Sequence, residues 1–215
     1  MSTFDGGVKE PAKKSGGTLM RISVILAHPQ PGSYNHAIAE AVVGALHENG
    51  HVVRFHDLYA ERFDPILPFG EIPRDAVLPP SIRQHCDEIA GAGGIVFIHP
   101  NWWGQPPAIL KGWIDRVLRP GVAYRFAEND SGEGIPLGLL PAKAALVFNT
   151  SNTPPQRERE VFGDPLDALW KTCICAFCGI PVCHRRMFGV IVTSMDEQRK
   201  AWLAEARELT LLTFP

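Results

Sequence analysis

At 215 residues, with 45% hydrophobic and 20% charged side chains, the chain has apolar material for the core of one ordinary domain and gives no reason to expect two. A formal net charge of -2 provides no field able to steer a nucleic acid or an anionic membrane surface toward it, so a small molecule is the expected partner. No apolar run approaches the roughly 20 residues of a membrane-spanning helix, and five cysteines, an odd number, suit free thiols in a reducing compartment.

The opening MSTFDGGVKEPAKKSGGTL has almost nothing to bury and lacks the apolar centre of a signal peptide. Residues 1–19 are therefore expected as a disordered tail on a domain spanning 20–215, with Met20 a candidate start and the cytoplasm the expected location. RISVILAH is a continuous β-branched run, as in a strand covered on both faces. It ends in PQPGS, and a helix follows from about Asn35 to Glu48, stopped by Asn49-Gly50.

HVVRFHDL reads as a second strand, ERFDPILPFGEIP as a loop and PPSIRQHCDEIAGAG as a helix with proline in its first turn. GIVFIHP is a third strand. From Pro107, the residues Ile109, Leu110, Trp113, Ile114, Val117 and Leu118 form one apolar helical stripe that ends at Pro120-Gly121. AKAALVFNTS is a fourth strand, DPLDALWKTCICAFCG a helix, RRMFGVIVTS a fifth strand and DEQRKAWLAEARELTLL a closing helix. Five strands with helical crossovers make a doubly wound α/β sheet, whose ligand crevice lies at the carboxyl ends of the central strands.

The three turns at that edge are HPQPGSYN, PNWWGQP and NTSNTPPQRER. The first lacks both GxGxxG and GxxxxGK, yet it opens a helix. Ser33 and Asn35 either cap that helix or, with its free N–H groups and His28, hold a phosphate. In the second, Trp102 and Trp103 are either packing anchors or the walls of a site for a planar ring. The third runs polar from Asn149 to Thr153, and QRERE after it reads as a solvated charge run.

No GxSxG and no acidic pair after the first strand supports hydrolytic or phospho-accepting chemistry. Cys173, Cys175, Cys178 and Cys183 with His184 look like a metal cluster. At about 100° per residue, however, Cys173 and Cys175 point apart, so these thiols and Cys86 are expected to pack rather than ligate. His36, His47, His51, His56, His85 and His99 lack HExxH-type spacing and are expected as surface or satisfied core residues, with no metal site.

Four stretches resemble the NAD(P)H:quinone oxidoreductases of flavodoxin-like fold, a family that includes ancillary proteins of glutathione-gated potassium efflux. They are VILAHPQPGSYNHAIAEA, HDLYAERFDP, FIHPNWWGQPPAILKGWIDRVLRPGVAY and FNTS, and the third is the most specific. The resemblance implies a five-stranded parallel sheet with helices on both faces and a flavin at its carboxyl edge. His28, Ser33, Tyr34 and Asn35 would hold the phosphate and ribityl chain. Pro100, Asn101, Trp102, Trp103 and Gly104 would flank the ring on one side, and Thr150, Ser151, Asn152 and Thr153 on the other.

It further implies a homodimer with active sites at the subunit boundary, which would explain the stripe after Pro107. Tyr124 would line the quinone and nicotinamide pocket, with Phe126 where some relatives carry a second tyrosine. The implied reaction is ping-pong hydride transfer from NAD(P)H to a quinone, or to azo or nitro compounds, with Trp103 along the flavin. A redox-sensing subunit of a potassium efflux transporter is the alternative, and a single-electron carrier, which would want a strongly acidic surface, is disfavoured by the charge of -2.

Two departures stand out: Gln156 and Phe162 occupy, approximately, the positions of a Tyr and a His that balance charge on the reduced flavin, and Ser151 and Asn152 replace a glycine pair. One serine hydroxyl with His28 suits the pyrophosphate of FAD better than the dianionic phosphate of FMN, which remains the alternative cofactor.

Overall fold

The computed structural model describes residues 18–127 and 134–215. The tail expected at 1–19 lies, but for its last two residues, outside them. In chain order the elements are β1 (Arg21–Leu26), α1 (Tyr34–Glu48), β2 (Val52–Asp57), α2 (Pro80–Ala90), β3 (Gly94–Pro100) and α3 (Ala108–Val117). There follow β4 (Tyr124–Phe126), β5 (Pro136–Gly138), β6 (Ala144–Ser151), α4 (Pro155–Glu160), α5 (Pro165–Ala168), β7 (Cys183–Gly189) and α6 (Asp196–Thr213).

Five of the strands form one parallel sheet in the order β2-β1-β3-β6-β7, the doubly wound arrangement expected. Every side chain of β3 and β6 is buried, because helices cover both faces. On one face Ile25, Ile95, Phe97 and Val147 meet α2, α3 and the segment after α5. On the other, Val24, Leu26, Val96, Ile98 and Phe148 meet α1 and α6.

Four features differ from the sequence expectation. The helix expected over DPLDALWKTCICAFCG is a single turn, α5, that widens into a π-helical stretch over Leu169–Ala176. QRERE is exposed as expected at Gln156, Arg157, Arg159 and Glu160, but it lies in helix α4 and its Glu158 is only 2% exposed. The antiparallel pair β4–β5 lies between α3 and β6. Among the cysteines all five are free, but Cys173 is exposed where packing was expected.

The stripe on α3 is also corrected. Ile109, Leu110, Trp113, Val117 and Leu118 are buried in the chain's own core, so no second subunit is needed to cover them. The reason is local: α3 lies against the sheet face that α2 shares, with the Trp113 indole on Phe97 and its N–H donating to His85 Nδ1 (3.2 Å).

Gly112 of the PAILKGW motif shows why that helix carries a glycine. A Cβ built there would sit 2.2 Å from the Pro65 carbonyl oxygen, in the loop after DLYA, so the two motifs touch backbone to backbone. Beside this contact Arg116 donates to both oxygens of Glu71 (3.0 and 2.6 Å) and to the Asp64 carbonyl (2.5 Å), fixing the same loop. In an exposed helix Gly→Ala stabilises by about 1 kcal/mol. Here Gly112→Ala is expected to destabilise by about 1–3 kcal/mol through overpacking, as read by urea unfolding.

Candidate active site

The carboxyl ends of β1, β3 and β6 are joined at Thr150. Its carbonyl oxygen accepts the Asn101 N–H (2.6 Å) and its Oγ1 accepts the Asn35 amide (2.9 Å), so the three turns converge as expected. A cleft of about 410 Å³ opens between them. The first turn lines it with His28, Ser33, Tyr34 and Asn35, the second with Pro100, Asn101 and Trp102, and the third with Thr150, Ser151, Asn152 and Thr153.

Gln30, Ile191 and Arg199 complete the cleft and were missed. Arg199 had a readable signal, since α6 starts just past the end of β7 and brings its first turn to the same edge. The Arg199 side chain is braced by the Ser194 hydroxyl (2.8 Å) and the Ile191 carbonyl (3.1 Å).

Ser33 stands at the N-cap of α1, but its side chain makes no capping bond. Its Oγ meets His36 Nδ1 at 2.8 Å, and His36 Nε2 meets Asp57 Oδ2 at 3.1 Å. The N–H groups of Tyr34 and Asn35 have no acceptor among the described residues, and they stand at the positive end of the helix. Asn35 is 2% exposed; its amide nitrogen is spent on Thr150, and its Oδ1 is buried with no donor. Such an acceptor costs about 1–3 kcal/mol until something donates to it.

Tyr34 and His28 play narrower parts than their positions imply. The Tyr34 hydroxyl donates to the Arg199 carbonyl (2.8 Å), and burial pushes its pKa up to about 12, leaving only its backbone for a ligand. For His28, burial outweighs the hydrogen bond to Gln30 and holds the pKa below the usual histidine range.

The second turn is a closed two-residue loop in which Trp102 and Gln105 exchange backbone hydrogen bonds of 3.0 Å. Its central residues, Trp103 (φ 57°) and Gly104 (φ 70°), are both left-handed. Gly104 is required there, since a Cβ would also sit 2.6 Å from Pro165. A tryptophan in this conformation costs about 1–3 kcal/mol. Its indole is 101% exposed, which removes core packing as its role; Trp102 is half-exposed beside His28.

Beyond this turn lies a second cavity of about 520 Å³, lined by Asn101, Trp103, Gly104, Thr153, Glu158, Phe162 and Pro165. Asn101 and Thr153 form the wall it shares with the first cleft. Glu158, only 2% exposed, lines this cavity, and its carboxylate accepts no hydrogen bond and no ion pair among the described residues. Gln156 turns away to Glu160 (3.0 Å). Tyr124 reaches neither cavity of its own chain; its ring packs on Phe177 and Phe126 at 4.8 and 5.6 Å.

His56, Glu61 and His85 bring ligand-type atoms within 4.8 Å of one another, a grouping that HExxH spacing does not reveal. Each histidine is already engaged. His56 lies between Glu61 (2.9 Å) and Glu88 (2.6 Å), which outweigh burial and raise its pKa. The Trp113 N–H donates to His85 Nδ1, placing the proton of a neutral ring on the Nε2 atom that a metal would need.

The model of the flavodoxin-like fold family matches residues 20–210. An uncharacterized NAD(P)H oxidoreductase of Haemophilus influenzae is 36% identical over 194 residues, 87% of this chain and 92% of that protein. NAD(P)H dehydrogenase [quinone] 1 of Cavia porcellus is 31% identical over 202 residues, 83% of this chain and 72% of that one. The solved structure of an NAD(P)H:quinone oxidoreductase from Methanothermobacter marburgensis superposes with a TM-score of 0.76 at 26% identity, covering 90% of this chain and 96% of that one. With the sheet order, the Thr150 junction and the left-handed tryptophan turn, these likenesses place the chain in the NAD(P)H:quinone oxidoreductase family of flavodoxin-like fold.

Proposed function

We propose that the chain is a flavin-dependent oxidoreductase that passes two electrons from NAD(P)H to a quinone, with azo and nitro compounds as further acceptors. The observation that carries this reading is the start of α1, where the N–H groups of Tyr34 and Asn35 have no acceptor among the described residues and stand at a cleft lined by all three turns. A phosphate can take those N–H groups and the Ser33 hydroxyl. Arg199, at the same cleft, suits the longer pyrophosphate of FAD, with FMN the alternative.

When bound, the flavin supplies the two-electron carrier that no side chain of this protein can replace. The turn from Asn101 to Gly104 and the stretch from Thr150 to Thr153 would hold its ring. The N–H groups of the left-handed turn supply fixed dipoles for charge developing on the ring edge. The second cavity receives nicotinamide and quinone in turn, which makes the kinetics ping-pong. Tyr124, outside both cavities of its own chain, serves the site of a second copy in a homodimer.

Proton supply falls to Glu158. A quinone that has accepted a hydride carries one negative charge on oxygen and needs one proton to become the hydroquinone. Glu158 lines the second cavity and is the titratable side chain placed to pass that proton from solvent to the quinone oxygen.

Three outcomes are expected. The purified protein is yellow; chromatography of heat-released flavin identifies FAD or FMN; NADH or NADPH bleaches the colour anaerobically, and a quinone restores it. A colourless protein that cannot be reconstituted with either flavin rules the reading out. Trp103→Ala keeps its thermal stability, because the indole touches little of its own chain, but binds flavin about tenfold more weakly, a loss of about 1.4 kcal/mol by fluorescence titration. Glu158→Gln lowers kcat with quinones by about 10²-fold, while reduction of ferricyanide, which consumes no proton at the acceptor, is unchanged; equal losses with both acceptors would show that Glu158 only supports the fold.

A further inference from the structure

The contacts of Ser33 hold more than a binding surface. Its hydroxyl lies 2.8 Å from His36 Nδ1, and the opposite ring nitrogen lies 3.1 Å from Asp57 Oδ2. Asp57 is itself fixed, since its other oxygen accepts the N–H groups of Tyr59 (3.1 Å) and Ala60 (3.2 Å) at the start of the DLYA turn. The neutral ring therefore carries its proton on Nε2, because the other tautomer would set a lone pair against the carboxylate. Nδ1 is then an acceptor, and the Ser33 O–H must point at it. In that state the cleft sees only lone pairs on the serine oxygen.

A phosphate has no proton to offer those lone pairs. With a proton on both ring nitrogens, Nδ1–H donates to Ser33 Oγ and the serine O–H is released toward the cleft. Resting on the flavin reading above, we infer that His36 is a positioning residue that turns the Ser33 hydroxyl toward the ligand phosphate, so that binding of a phosphate-bearing flavin takes up a proton.

Several groups act on that ring. Asp57 on β2 favours the charge, as does Glu40 one turn further along α1. The positive end of the α1 dipole opposes it, and so does any charge on His28, whose ring lies 6.3 Å away across the β1–α1 turn. From α6, Arg199 brings a permanent positive charge to the same cleft. A phosphate adds an anion beside these groups and tips the ring toward protonation. Burial keeps the His28 pKa below the usual range.

The test is equilibrium binding with the full-length apoprotein, read by quenching of flavin fluorescence at about pH 6 and about pH 8, the window in which histidine titrates. FAD is the probe, because its pyrophosphate keeps its charge across this range; riboflavin, which has no phosphate, is the control. FAD is expected to bind about tenfold more tightly at the lower pH, with riboflavin affinity unchanged. His36→Gln and Ser33→Ala should both lose the pH dependence, and calorimetry in two buffers of different ionisation enthalpy should show proton uptake for the wild type alone.

A pH-independent FAD affinity in the wild type overturns the proposal and leaves the flavin reading standing. So does a pH dependence that survives in His36→Gln, or one that riboflavin shares. Failure of every flavin to bind at either pH overturns both.

Discussion

The site depends on Thr150. Because its carbonyl accepts from Asn101 and its hydroxyl from Asn35, three turns spread over more than a hundred residues of chain meet on one residue. Each bond is worth only about 1 kcal/mol net. Their effect is geometric: the end of β6 cannot shift without carrying the tryptophan turn and the start of α1 with it. Rigid parallel strands beneath, buried on both faces, keep that junction from drifting.

Above this junction the chain accepts local penalties. Trp103 adopts a left-handed conformation and exposes its whole indole; Asn35 leaves an acceptor unmet; Glu158 is buried with no partner among the described residues. Other polar groups are well matched, as in the fork of Arg116 on Glu71, or His99, whose Nε2 accepts the Trp170 N–H (3.0 Å) while burial holds its pKa at about 4. Asn149 Nδ2, Asp164 Oδ1 and Arg207 Nη1 are also buried without a partner among the described residues, so unmet groups are not confined to this edge.

Much of this was legible in the sequence, and the reasons are specific. RISVIL, GIVFIHP and AALVFNTS are dominated by β-branched and apolar residues with no alternation, as in strands covered on both sides, so the parallel sheet and its three ligand-side turns could be placed. Periodicity says which residues of a helix are buried but not against what, which is why the α3 stripe was assigned to a second subunit when its own sheet covers it. The π-helical stretch after α5 has no spacing signature in a run rich in Cys and Ala. Glu158 sits among charges that look solvated, and only the turn of α4 sends this one inward. The Ser33–His36–Asp57 contacts needed β2 beside α1, a neighbour relation that no local pattern contains.

Tyr34 and Arg199, whose contact lines the cleft, are 165 residues apart, and the far end of α6 is fastened at equal remove, where the Phe214 carbonyl accepts from Asn49 and meets His51 Nε2. The first helix of the domain is thus closed by its last. Contacts of such sequence separation form late, after the loop entropy between them has been overcome. During synthesis the sheet can begin to assemble on the ribosome, but the cleft cannot be finished until α6 has left the exit tunnel and docked. A chain cut short before α6 would carry all five strands of the sheet but an unfinished cleft.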